Sequence, residues 1–196
     1  MKHSIITLMN FKDLSLLRDY LKITREVLVP ALNSQTVKDF EWLVITNDSN
    51  IEMIREEISY PFVPMFGAAS CRSYLIEKGV NIQTRHDCDD WMSPEYVSNI
   101  HETYWKGLQK YDAFLVQSQP KKLIYRTGQE YNLPNYHSRR CSMHLSICQK
   151  KVKHHVFERK HGQMYEITPN VITLPEGLTK WVIHENNKTV RRKINN

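Results

Sequence analysis

The feature that most restricts the fold of this chain is a strict alternation, over its first 84 residues, of short apolar runs with amphipathic stretches. Residues 4–8 form an apolar run rich in β-branched side chains. After Asn10-Phe11-Lys12-Asp13, apolar residues recur at Leu14, Leu17, Leu21, Val27, Leu28 and Leu32, a helical period. Residues 40–46 are apolar almost throughout and are closed by the turn-forming Asn47-Asp48-Ser49-Asn50, as expected of a strand buried on both faces. A helix over 51–59, a strand over 61–65, a helix over 70–78 ended by Gly79, and a strand over 80–84 complete a β-α-β-α-β-α-β pattern. Such alternation predicts a single α/β, Rossmann-like domain: a mostly parallel central sheet flanked by helices, with ligands bound beyond the carboxyl ends of the strands.

Directly after the fourth expected strand stands Asp87-Cys88-Asp89-Asp90. Carboxylates this close repel one another and raise one another's pKa, which a divalent cation would relieve. Mn²⁺ and Mg²⁺ take hard oxygen ligands, commonly one or two carboxylates completed by substrate phosphates. Arg85, two residues ahead, is placed to contact phosphate. The plainer reading is an acidic loop that caps the next helix, and position at a strand end favours the metal reading over it.

Beyond the cluster, Ser93 is the expected N-cap of a helix reaching about residue 110, with Pro94 at its first position. Two β-rich runs, 113–117 and 122–126, flank Ser118-Gln119-Pro120-Lys121 and read as a hairpin. After Thr127 periodicity fades. At 196 residues the chain fits one domain of the usual size, about 100–200 residues. Its opening apolar run is too short for a secretory signal, and nothing approaches the roughly 20 apolar residues of a membrane span. A soluble, cytoplasmic protein with four free cysteines is expected.

The stretch Phe40-Glu41-Trp42-Leu43-Val44-Ile45-Thr46-Asn47-Asp48 followed by Thr84-Arg85-His86-Asp87-Cys88-Asp89-Asp90 resembles the rhamnosyltransferase branch of GT-A glycosyltransferases, which carries an F-x-W-L-V strand and a T-R-x-D-x-D-D core. Of the two, only the T-R-x-D-x-D-D element is specific. Residues 146–149, 161–164 and 181–187 continue the resemblance, which therefore spans most of the chain. It implies a GT-A domain with a nucleotide-sugar-binding half over 1–92, an acceptor half over 93–185 and a basic tail over 186–196. It further implies that Thr7, Asn10, Asp48, Arg85 and Asp87 bind a nucleoside-diphosphate sugar. Asp87, Asp89, Asp90 and His184 would form the Mn²⁺ or Mg²⁺ site, with Asp90 orienting the other carboxylates. Where the family carries S-L-V-E this chain has Ser146-Ile147-Cys148-Gln149, so the acid at that place is missing. Glu130, Glu158 and Glu166 are the candidate bases in the acceptor half.

The net charge of +6 is uneven: Lys121-Lys122, Arg139-Arg140, Lys150-Lys151, Arg159-Lys160 and Arg191-Arg192-Lys193 all lie in the second half. These are either solvated faces or a surface for a polyanion, and Tyr125, Tyr131, Tyr136 and Tyr165 interleave with them. The acceptor is thus a glycan by family default or a hydroxymethylated DNA base. Two other functions fit the same residues: a non-catalytic nucleic-acid-binding module, and a metal-dependent phosphotransferase or nuclease. His137, Cys141, His144 and Cys148 would share one helical face, which cannot surround a tetrahedral zinc ion; a packed face or an acceptor-site wall is the better reading.

Overall fold

β1 (His3–Leu8) and β2 (Glu41–Thr46) are buried along almost their whole length because each feeds a different core with alternate residues. Ile5, Trp42 and Val44 pack on one face of the sheet, while Ile6, Leu43 and Ile45 pack on the other. This two-sided burial is the physical meaning of a continuous apolar run. The computed structural model describes residues 1–132, 144–157 and 161–187, without the side chains of 161 and 162.

The first half follows the sequence closely. After β1 come α1 (Leu14–Ile23), β2, α3 (Ile51–Glu57), β3 (Val63–Phe66), α4 (Ala68–Glu77) and β4 (Ile82–Arg85), and these four strands are parallel in the order β3-β2-β1-β4. The helix expected from residue 14 to 32 is interrupted: a π-helical stretch, Thr24–Leu28, separates α1 from α2 (Val29–Ser34). Within it, the Thr24 hydroxyl is 2.8 Å from both the Tyr20 and the Cys88 carbonyl oxygens, which ties the irregular turn to the acidic cluster. Wide turns of this kind often sit beside functional sites.

The second half extends the sheet with mixed polarity. β8 (Leu145–Gln149) pairs antiparallel with β4 and with β6 (Ala113–Ile124), and β6 pairs parallel with β9 (Val171–Ile183). The short β5 (Trp91–Met92) borders β9, and β7 (Glu130–Tyr131) borders β6. Parallel pairing thus holds the first half and the β6–β9 junction, in one α/β domain with helices on the sheet.

Three expectations need correction. The runs on either side of Pro120 are one strand, since Pro120 is absorbed by register shifts against β9 rather than by a turn; the chain reverses later, at 125–129, with Gly128 at φ 67. α5 (Tyr96–Leu108) begins after Pro94, and its first turn is capped by the side chain of Gln35, whose Oε1 accepts from the Val97 N–H at 3.0 Å, not by Ser93. Cys148 lies on a strand and not a helix, while His137 and Cys141 fall outside the described residues, as do Arg139, Tyr136 and the tail from 188. Cys71, Cys88 and Cys148 are free and buried. Among the described residues no helix is long and apolar enough to cross a membrane.

Candidate active site

α1 and α3 carry the chain from β1 to β2 to β3 on one side of β1, whereas α4 returns it to β4 on the other side. The connections leaving β1 and β4 therefore run to opposite sides, and a crevice opens between the loops that follow them, the usual ligand position in such sheets. A cavity of about 630 Å³ occupies it, lined on one side by Asn10, Phe11 and Asp13 and on the other by Arg85, Asp87 and Asp89.

The three carboxylates of the cluster do different things. Asp90 is buried; its Oδ2 is 2.8 Å from His144 Nε2, and its Oδ1 accepts the Val182 N–H at 2.8 Å. Both oxygens are thus engaged with β9 and the entry to β8. Asp89 turns the other way: its Oδ2 is 2.8 Å from His184 Nε2 and 3.1 Å from Asn187 Nδ2. The Asn186 N–H also lies 3.3 Å from His184 Nδ1, so both ring nitrogens are engaged inside the fold. Asp87 keeps 34% of its side chain accessible at the cavity and is 3.9 Å from Arg85 Nε. Burial first, and then the negative charge of Asp90, push the Asp87 carboxyl up to about 7, with Arg85 pulling it down.

Neighbouring side chains fix these positions. His86 stacks on His144 at 4.6 Å between ring centres and meets the Asp87 carbonyl at 3.0 Å through Nδ1. Burial, and next the charge of His144, hold His86 well below the usual imidazole range. Arg85 lines the cavity with its guanidinium 4.9 Å from the centre of the Phe157 ring, and among the described residues its buried Nε has no hydrogen-bond partner. Tyr20 packs on Phe11 at 4.9 Å and edge-on to His184 at 5.1 Å, linking the β1 loop to the end of β9.

Of the expected donor-binding residues, Asn10, Arg85 and Asp87 line the cavity. Thr7 does not: it is buried, and its hydroxyl accepts from Trp42 Nε1 at 2.9 Å. Asp48 is exposed in the turn after β2 and lies off the lining; its neighbour Asn50 serves the site instead, holding the Phe11 backbone through its side-chain oxygen (2.8 Å) and nitrogen (3.1 Å). Glu130 pairs with Lys180 away from the cavity, Glu166 is exposed off its lining, and Glu158 falls outside the described residues. Sequence reasoning missed Phe11, Tyr20 and Asn50, and the only signal for Asn50 was its place in a turn-forming run. Asp87 and Asp89 border one cavity and His184 bonds Asp89, but among the described residues no three His, Cys, Asp or Glu side chains converge as a metal cage, so the expected four-residue set of Asp87, Asp89, Asp90 and His184 is not assembled.

No family model matches the chain, and no curated protein matches it. Solved structures do. The chain resembles S. aureus TarS 1–349 with a TM-score of 0.55 at 12% identity, covering 99% of this chain and 64% of that one. The same protein in complex with UDP-GlcNAc gives 0.51 at 10% identity over 94% of this chain and 59% of that one. This chain therefore spans less than two thirds of those crystallised chains. At such identity the likeness is one of fold alone, the α/β architecture expected from the alternation of the first half.

Proposed function

We propose that this protein is a divalent-cation-dependent glycosyltransferase whose nucleoside-diphosphate sugar binds in the cavity between the β1 loop and the acidic turn. The observation that carries this reading is the convergence on one cavity of Asp87, Asp89 and Arg85 at the carboxyl end of β4, facing Asn10 and Phe11 beyond β1. A fold likeness to a protein crystallised with UDP-GlcNAc and with UDP supports the choice of donor.

The donor set suits Mn²⁺ or Mg²⁺: two carboxylates supply hard oxygen ligands and leave the remaining positions to phosphate oxygens. Asp87 and Asp89 would hold the ion, with His184, bonded to Asp89, and Asp90 orienting them. When bound, the cation supplies positive charge against the diphosphate. The chain's own residues do the rest. Arg85 offers its guanidinium to the phosphates, Phe11 and Tyr20 give flat walls for a nucleobase, and Asn50 keeps the Phe11 loop in place. In the transfer, an acceptor hydroxyl on a glycan or on a hydroxymethylated DNA base forms a bond to the anomeric carbon. The bond from that carbon to the diphosphate oxygen breaks, its electron pair leaves on the nucleoside diphosphate, and the hydroxyl proton passes to solvent.

The test is release of nucleoside diphosphate from a panel of nucleotide sugars with and without Mn²⁺. Cation-dependent turnover is expected with at least one donor, reduced about 100-fold or more in Asp89→Ala. Unchanged turnover in that variant would show the metal assignment to be wrong.

A further inference from the structure

β7, β6 and β9 lie side by side, and their register decides which side chains share a face. Lys122 on β6 stands opposite Tyr131 on β7 and opposite Trp181 on β9. Side chains paired across neighbouring strands project from the same face. An aromatic ring, an ammonium and a second aromatic ring therefore form one row three strands wide, about 10 Å long at the usual strand spacing. The Lys122 Nζ is 5.6 Å from the centre of the Trp181 ring, as this register requires.

The row begins at the active-site crevice, because Trp181 lines the same cavity as Asp89, and it runs outward to Tyr131, which is 46% exposed. The opposite face of these strands is built differently. There Val182 packs against Ile23 and Val27, and Lys180 is occupied by Glu130 and by the Trp91 ring at 4.2 Å. Among the described residues no carboxylate pairs with Lys122. Half-buried between two rings, it has among the described residues the Trp181 ring as its recorded side-chain partner.

We infer that this row is the acceptor platform of the proposed transferase and that its occupant is a nucleic-acid strand, with bases stacked on Trp181 and Tyr131 and a phosphate on Lys122. The inference rests on the glycosyl-transfer reading only for the word acceptor. Rings that accept any base face, alternating with a cation that meets the backbone, are how single strands are held without sequence preference. A neutral glycan could stack on the rings but would leave the ammonium without a counter-charge. The net charge of +6 also draws a polyanion rather than a neutral chain. A base extruded onto Trp181 would present its hydroxyl to the cavity that Asp89 borders.

The experiment is fluorescence anisotropy of a labelled single-stranded oligodeoxynucleotide over a salt series, with the protein alone. Binding that weakens steeply with salt is expected. Tyr131→Ala should weaken it about 5- to 100-fold and Tyr131→Phe should restore it, since the ring and not the hydroxyl is used. Lys122→Gln should lower the log–log salt slope by about one. Melting curves identify any variant that fails to fold, and the Phe variant keeps the test valid if the Ala variant does. Affinity indifferent to both positions overturns the inference. So does binding of a uronic-acid oligosaccharide, lost in Tyr131→Ala, without binding of the oligonucleotide. Donor binding by the unaltered protein is measured separately, so loss of the transferase reading and loss of this one give different results.

Discussion

Asp89 and Asp90 are adjacent, yet only Asp89 borders the cavity, while Asp90 is tied wholly into the fold. Asp90 gives its two oxygens to His144 Nε2 and the Val182 N–H, while Asp89 reaches His184 and borders the cavity. Burial, and next the charge of Asp89, push the Asp90 carboxyl well above its usual range, which suits an internal tether more than an exposed ligand. Asp90→Ala orphans two buried groups and should lower stability by at least about 2 kcal/mol in urea melts. Asp89→Ala also removes a partner from buried His184 and Asn187 and should cost stability too, but it should in addition lose nucleotide binding at temperatures where it is folded; retained nucleotide binding by folded Asp89→Ala would contradict this division. His3 offers a pH test away from the site. It is buried, with Nδ1 3.0 Å from His101 Nε2 on α5 and Nε2 2.7 Å from the Thr84 hydroxyl on β4. Burial first, and then the charge of His101, hold it well below the ordinary imidazole value of 6.5. Its folded pKa is depressed, so the unfolded chain takes up the proton first. The stability it contributes is present above about 6.5 and is lost as pH falls through the folded value. Urea midpoints should therefore fall as pH drops below about 6.5, and less steeply in His3→Asn; an unchanged slope in the variant would rule His3 out as a source.

At the scale of elements, the parallel strands β1 to β4 and their helices were legible because each obeys one period and buries one kind of surface. β8 was not. Its residues are all buried, but Ser146 and Gln149 interrupt the apolar pattern, and they are tolerated only because Thr84 meets Ser146 at 2.7 Å and the Gln149 side chain bonds the backbone of Lys153 and His154. Those partners are distant or irregular, so no local pattern announces them. β6 was misread for the opposite reason: Ser118-Gln119-Pro120-Lys121 has turn chemistry, and pairing with β9 overrides it. Of the site, the T-R-x-D-x-D-D core could be read directly, whereas Asn50, Tyr20 and the Gln35 cap depend on contacts across elements. One such contact gives a prediction. Gly107 on α5 packs against the Phe114 ring on β6, and a β-carbon there would overlap the ring. Gly107→Ala should cost about 1–3 kcal/mol by overpacking, read as a lower melting temperature. No change would mean that α5 sits farther from β6 than described.

For the whole molecule, two cores on opposite faces of one sheet hold β1 between them, β4 pairs along it, and the crevice where their following loops part gathers Arg85, Asp87 and Asp89. A ligand that binds only the folded state raises stability by mass action, so donor recognition can be read without knowing the acceptor. The most direct measurement is the melting temperature of the protein with a series of nucleoside diphosphates and their sugars, with and without Mn²⁺, beside Asp89→Ala. A rise is expected with at least one nucleotide, larger with Mn²⁺ and absent in the variant. No rise with any nucleotide under either condition, or the same rise in Asp89→Ala, would contradict this expectation.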